Sequence, residues 1–324
     1  MKKNSIISID MGGTKVLACV VNSKEGIVAK LKRPTDPTDS AKDYVHQLAK
    51  IVKDLIDKNE ISKKKIKTVC LGIPGSLNPV TGKIGLAPNL GLKNFNIKYN
   101  LEKELNFPVL IENDANLGAL GIKNFGVGKK SKNLLAVFVG TGIGGGLIFD
   151  RQLYRGSDFV AGEIGHMLVK KNGPKCGCGK NGCFEALASR TAVVNKIISD
   201  IELGKASVLS RAVKSGDRIK SKLLLAAVTK NDKVTCKRIR EACTTIGKML
   251  ASVTNLLNLD TIILAGGMVD ALDFYMLPLI KKSFDEHVLA DAGNNLKIVS
   301  SQLGDDAAIF GGIPLAEEFL GIKV

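Results

Sequence analysis

The chain has 324 residues, 45% apolar and 24% charged, the balance of a globular protein with room for two domains. Its longest apolar runs, "LLAVFVG" and "TIILAGG", are far too short to span a bilayer. The net charge of +16 is mostly scattered lysine, with short clusters at Lys63–Lys65 and Lys129–Lys132, and aromatics are only 5% with no tryptophan. A nucleic-acid surface needs a basic stripe with stacking aromatics, so the expectation is a solvated lysine-rich surface, with no nucleic-acid and no membrane partner.

The N-terminal "MKKNSIISIDMGGTK" sets two lysines before an apolar run, but that run breaks at Asp10 and has no small-residue cleavage site. The expectation is therefore no signal peptide and a cytoplasmic location. "IISIDMGGTKVLACVV" predicts a strand, a glycine turn and a second strand. "SAKDYVHQLAKIVKDLIDK" places Tyr44, Leu48, Val52 and Leu55 on one helical face, with Ser40 or Asp39 as its cap. "IKTVCLGIPG" and "FPVLIEND" are expected to be buried strands, the first ending at Pro74-Gly75, and "DANLGALGIKNFG" a helix that follows directly. Strands alternating with helices argue for an α/β class.

About 130 residues after the first hairpin, "LLAVFVGTGIGGGLIFD" repeats its grammar, which suggests a duplicated architecture with two glycine turns facing across a cleft. The topology sets a domain boundary near residues 115–125. Beyond the cysteine cluster the pattern is mainly helical, and Leu203–Asp232, rich in lysine and serine, is expected on the surface. "TCKRIREACTTIGKMLASVTNLLN" is a long amphipathic helix feeding the strand "TIILAGG". In the final "GDDAAIFGGIPLAEEFLG", Gly311-Gly312-Ile313-Pro314 marks a kink or a helix start.

Three patterns carry chemistry, the first of them a pair of glycine turns. "DMGGTK", Asp10 to Lys15, offers a carboxylate at a strand end, glycines that let backbone amides approach an anion, a hydroxyl and an ammonium. "GTGIGG" matches a dinucleotide fingerprint, but a strand follows it where that fingerprint should open a helix. A second anion-holding hairpin fits better, and an ordinary glycine turn stays open as the alternative for each loop. In "GEIGHMLVKKNGPKCGCGKNGCFEA", Cys176, Cys178 and Cys183 with His166 make a set suited to a closed tetrahedral zinc site, the alternatives being a redox trio or a chance cluster. The other four of the seven cysteines, Cys19, Cys70, Cys236 and Cys243, stand in apolar settings as reduced core residues. Third, Asp114 lies where a strand passes into a helix, a place where capping is the plain alternative role for a carboxylate. Its company argues for more: Asn89 and Asn113, with Glu163, His166 and Glu185, form a set that can read the hydroxyls of a carbohydrate.

The motifs "DMGGTKV", "GIPG", "APN", "ENDAN", "VGTGIGGGLI", "GEIGHM", "CGCGKNGCFE" and "LAGG" occur in the order and spacing of the bacterial sugar kinases of the repressor–ORF–kinase family, and the chain resembles most closely its glucokinase branch. The resemblance covers nearly the whole length, and GEIGH combined with CGCGxxGCxE is its most specific part. It implies an actin-like ATPase (ribonuclease H-like) fold of two α/β domains with the active site between them. The smaller domain would span residues 1–120, completed by a C-terminal helix in 305–324, and the larger 121–304 with the zinc loop.

By the same resemblance Asp114 is the general base and Asn113 its sugar-binding neighbour, while Asn89, Glu163, His166 and Glu185 hold hydroxyls. Asp10, through Mg²⁺, with Gly12, Gly13, Thr14, Lys15, Thr141 and Gly142, holds the ATP phosphates, and Gly266 and Gly267 line the adenosine side. Two departures are Ile122, where relatives often carry glutamate, and "AGGM" in place of three glycines. The implied activity is transfer of the γ-phosphoryl group of ATP to the 6-hydroxyl of glucose, with structural Zn²⁺ and a homodimer or homotetramer. An N-acetylmannosamine or N-acetylglucosamine kinase is the nearer alternative. A sugar-responsive regulator is the remote one, since only nine residues precede Asp10 where a helix-turn-helix would stand.

Overall fold

The computed structural model describes residues 4–36, 38 and 40–324. The chain forms β1 (Ser5–Met11), β2 (Lys15–Asn22), β3 (Gly26–Pro34), α1 (Ala41–Lys58) and β4 (Ile66–Ile73). There follow β5 (Ser76–Asn78), β6 (Lys83–Ala87), a 3-10 turn at Pro88–Leu90, β7 (Leu92–Asn96), α2 (Ile97–Leu105), β8 (Val109–Asn113) and α3 (Asp114–Phe125). Next come β9 (Leu134–Val139), β10 (Ile143–Phe149), β11 (Gln152–Tyr154), a 3-10 turn at Ile164–His166, α4 (Phe184–Ala188) and α5 (Arg190–Glu202). The remainder is α6 (Ser210–Lys214), α7 (Ser221–Thr229), α8 (Lys233–Leu257), β12 (Thr261–Ala265), α9 (Val269–Asp285), α10 (Ala290–Gly293), β13 (Lys297–Ser300) and α11 (Asp306–Leu320). Among the described residues no helix is long and apolar enough to cross a membrane.

Two compact units result, one of Met1–Lys130, Gly146–Gly162 and Asp305–Val324, the other of Ser131–Gly145 and Glu163–Gly304. The first five-stranded sheet has the order β3-β2-β1-β4-β8 and the second β11-β10-β9-β12-β13. Counted along the chain, both orders are third, second, first, fourth, fifth, so the repeated hairpin grammar does mark a duplicated sheet. The α/β class and the actin-like architecture of mixed sheets stand.

In the first sheet β1 pairs antiparallel with β2 and parallel with β4, and β4 runs parallel to β8. The register sets Asp10 beside Gly72 and Ile73 beside Asn113, so Asp10 and the β8–α3 junction share the carboxyl end of neighbouring parallel strands. Open α/β sheets hold their ligands at that end. Helix α1 covers this sheet because its apolar stripe, Tyr44, Leu48, Val52 and Leu55, is buried with Ile7, Ile9, Val69 and Ile111. Ser40 is its cap, accepting from the Asp43 amide at 3.4 Å; Asp39 lies outside the described residues.

Two expectations are narrowed. Gly311-Gly312-Ile313-Pro314 does not start the last helix, because α11 begins at Asp306 and contains all four. A methyl at Gly311 would lie 1.9 Å from the Leu117 carbonyl oxygen, and one at Gly121 would lie 1.8 Å from that of Ala307. The glycines are there so that the α3 and α11 backbones can touch. The stretch Leu203–Asp232 is mostly exposed, as expected, but it also folds into α6 and α7, buries Leu209, Ile219, Leu224 and Val228, and ends on Asp232, which caps α8 through the Thr235 amide at 2.8 Å.

Candidate active site and metal-binding loop

In the first unit, β1 ends on Asp10 and Met11 and turns through Gly12 and Gly13 into β2. The turn closes with the Gly12 amide donating to the Lys15 carbonyl at 2.9 Å, and the Thr35 hydroxyl donates to the Gly12 carbonyl at 2.6 Å. Asn89 sits against this loop: a methyl at Gly13 would be 3.2 Å from its carbonyl oxygen. Thr14 and Asn89 are exposed.

Asp10 is the electrostatic centre of this end of the sheet. Burial pushes its carboxyl up to about 7, the charges of Asp114 and Asp305 add to the rise, and Lys15 opposes it. Asp10 thus feels two further carboxylates and one ammonium, a surplus of negative charge that a hard cation would offset. Lys15 is engaged by Asp305 at 2.5 Å, and Lys32 approaches the same oxygen at 3.5 Å. Asp305 was not foreseen, because nothing in a "GDD" triplet shows that its partner lies 290 residues upstream.

At the β8–α3 junction the helix cap is Asn113, and Asp114 is the first helical residue. The Asn113 side-chain oxygen accepts from the Ala115 amide at 2.9 Å and the Asn116 amide at 3.2 Å, and its Nδ2 donates to the Gly75 carbonyl at 3.2 Å. One amide hydrogen is then left for a ligand. Asp114, half-buried, accepts from the Ala115 amide at 2.9 Å. A methyl at Gly72 would collide with Leu117 at 2.8 Å and lie 3.7 Å from the Asp114 Cα, so β4 needs glycine there for α3 to start this close. Ile122, the departure noted above, is fully buried in α3.

In the second unit, β12 runs parallel to β9 with Ala265 beside Phe138, which places Gly140–Gly142 and Gly266–Gly267 at the carboxyl ends of adjacent strands. Gly266 has φ +90, and a methyl there would meet Val139 backbone atoms at 2.8 Å. Arg190, also unforeseen, donates to the Thr141 hydroxyl at 2.7 Å. Since β10 starts at Ile143, directly after the turn, the dinucleotide reading of "GTGIGG" fails.

The cysteine loop is folded by its own backbone. The Cys176 amide donates to the Lys180 carbonyl at 2.8 Å, the Gly182 amide to Pro174 at 2.8 Å, and the Phe184 amide to Met167 at 2.9 Å. One ligand atom each from His166, Cys176, Cys178 and Cys183 lies within 4.8 Å of the rest. The His166 Nδ1–Cys176 Sγ separation is 3.6 Å and Cys178 Sγ–Cys183 Sγ is 3.7 Å. A tetrahedral ion with metal–sulfur bonds of ~2.3 Å spaces its ligands about 3.7 Å apart, so the set fits such an ion. All seven cysteines are free thiols, and burial pushes those of Cys176 and Cys183 up, so a cation is what would ionise them.

The two acidic neighbours follow from this loop. His166 Nε2 faces Glu163 at 3.8 Å. Burial raises the Glu163 carboxyl, with Glu185 adding and His166 opposing. Glu185, in the first turn of α4, accepts from the Ile143 amide at 2.8 Å and so ties the cysteine loop to the glycine turn.

A model of the ROK family matches residues 6–318. A glucokinase of Streptomyces coelicolor is 33% identical over 320 residues, covering 96% of this chain and 97% of its own. A xylose repressor of Caldicellulosiruptor bescii is 28% identical over 96% of this chain and 77% of its own. The crystal structure of a ROK family glucokinase from Streptomyces griseus, in complex with glucose and AMPPNP, superposes with a TM-score of 0.86 at 29% identity, covering 97% of this chain and 100% of that one.

Proposed function

The chain belongs to the ROK family, and from that premise we propose that it is an ATP-dependent hexose kinase that phosphorylates glucose at its 6-hydroxyl. The observation that carries the reading is the placing of Asp10 and Asp114 at one carboxyl sheet end, where the charge of the second helps raise the first and the second is rooted at a helix N-terminus. The Streptomyces griseus protein, crystallised with glucose and an ATP analogue, supports the choice of both substrates.

In this reading Asp114 takes the proton of the 6-hydroxyl as that oxygen bonds to the γ-phosphorus and the bond to the β-phosphate oxygen breaks, releasing ADP. Asn113, through its remaining amide hydrogen, and Asn89 orient the sugar. Glu163, Glu185 and the Nε2 of His166 hold its other hydroxyls. The amides of Gly12, Gly13, Thr14 and Gly142, the Thr141 hydroxyl and Lys15 bind the phosphates, and Gly266 and Gly267 let the adenosine approach the backbone. Mg²⁺, held at Asp10, would offset negative charge on the β- and γ-phosphates. Zn²⁺, held by His166 and the three cysteines, would fix the imidazole and the start of α4 and take no part in the chemistry.

The test is a coupled assay of ADP release against glucose, mannose, fructose, N-acetylglucosamine and N-acetylmannosamine. Glucose should give the highest kcat/KM. A higher value for an N-acetylhexosamine would reassign the substrate, since single substituents are discriminated by pocket shape at a cost of only ~1–3 kcal/mol.

A further inference from the structure

Glu112 immediately precedes the cap of α3 and is 1% exposed. A buried carboxylate needs donors, and it has three: the Asn113 amide at 2.9 Å, Asn116 Nδ2 at 3.0 Å and Arg155 Nε at 2.6 Å. The first two belong to the opening turn of α3, so the position of Glu112 fixes the angle at which β8 enters that helix. Arg155 then reaches the C-terminal helix with the other edge of its guanidinium, donating to both Glu318 oxygens at 2.7 and 2.9 Å and lying over the Phe319 ring at 5.4 Å. One planar cation thus joins three segments remote in sequence, a job that only the arginine fork can do. Neither the substrate nor the nucleotide reading uses these groups.

We infer that Arg155, clamping Glu112 to α11 through Glu318, is a positioning residue for phosphoryl transfer that holds the β8–α3 junction so that Asp114 meets the sugar hydroxyl in line. The inference rests on the reading of Asp114 as the base. A displacement of about 1 Å at such a group can cost ~10²-fold in rate, so the clamp is worth having only where geometry is critical.

The test compares the full-length wild type, Arg155→Met, Asp114→Asn and the double variant for hexose-dependent ADP release, with Arg155→Lys and Glu318→Gln alongside. Arg155→Met should lower kcat by ~10–100-fold while the KM for ATP stays within about twofold. Added to Asp114→Asn it should remove no more than about threefold further, because a positioning residue has nothing left to position. Arg155→Lys, alone and combined with Asp114→Asn, keeps a cation on Glu112 and loses the fork, so it reports even if the methionine variant fails to fold; a smaller loss with the same non-additivity is expected. Glu318→Gln keeps one acceptor and should fall least. Multiplying losses in the double variants, or a folded Arg155→Lys with wild-type kcat, would overturn the clamp. If Asp114→Asn alone retains full rate, the base assignment fails, and the Arg155 single variants still report separately.

Discussion

Replacing Asp114 by asparagine should lower kcat for hexose phosphorylation by ~10²–10⁴-fold, the usual contribution of a general base. The change is close to isosteric, and the amide oxygen can still accept from Ala115, so the first turn of α3 stays capped by Asn113 and hexose binding should persist. Loss of the Asp114 charge also removes one of the causes that raise Asp10, so the Asp10 carboxyl should ionise more readily and Mg²⁺ should bind no worse. The signature is therefore a fall in kcat with hexose and ATP KM values within about threefold of wild type. A variant whose kcat is within that same factor would take Asp114 out of the reaction.

The second large effect concerns the cysteine loop. Cys183 is buried and is the residue from which α4 starts, and Glu185 two positions on holds the Ile143 amide. Cys183→Ser, or removal of metal from the wild type by a chelator, should release both the His166 ring and the start of α4. Zinc content should drop from one per chain toward none, and the hexose KM should rise by ~10–100-fold, the range for losing groups that orient a site. The KM for ATP should rise less, since the Gly12–Lys15 loop lies in the other unit and only the Gly140–Gly142 turn is tied to α4, through Glu185 and the Ile143 amide. Metal analysis beside steady-state kinetics checks both; a zinc-free chain with unchanged hexose KM would leave the loop without the role assigned to it.

Local grammar made the main elements legible. The glycine turns of both hairpins, the apolar stripe of α1 and the strand-to-helix step at Asp114 are short-range patterns whose period dictates the element. His166 and the cysteines lie within a short stretch of chain, and the structure gathers their ligand atoms. What escaped detection is long-range. Gly311 and Gly312 read as a kink or a start, and only what packs against them shows why a helix contains them, the Leu117 backbone of α3 at Gly311 and Ser8 and Cys70 of the sheet at Gly312. The sheet β5-β6-β7 that carries Asn89 has strands of three to five residues, too short for an alternation signal. Asp305 on Lys15, Arg190 on Thr141 and Arg155 on Glu112 are ion pairs or hydrogen bonds whose partners are set by topology, not by spacing. Asn113 is intermediate: its motif marked it, but its commitment to capping α3 and to Gly75 needed coordinates.

The most direct test follows the phosphorus itself. With ATP labelled at the γ-position, the purified chain should move label into glucose one-for-one with ADP formed, yield a 6-phosphate, and leave 6-deoxyglucose unlabelled. Label passing instead to water or to another position of the ring, or no sugar-dependent transfer from a folded, zinc-loaded chain, would contradict the assignment.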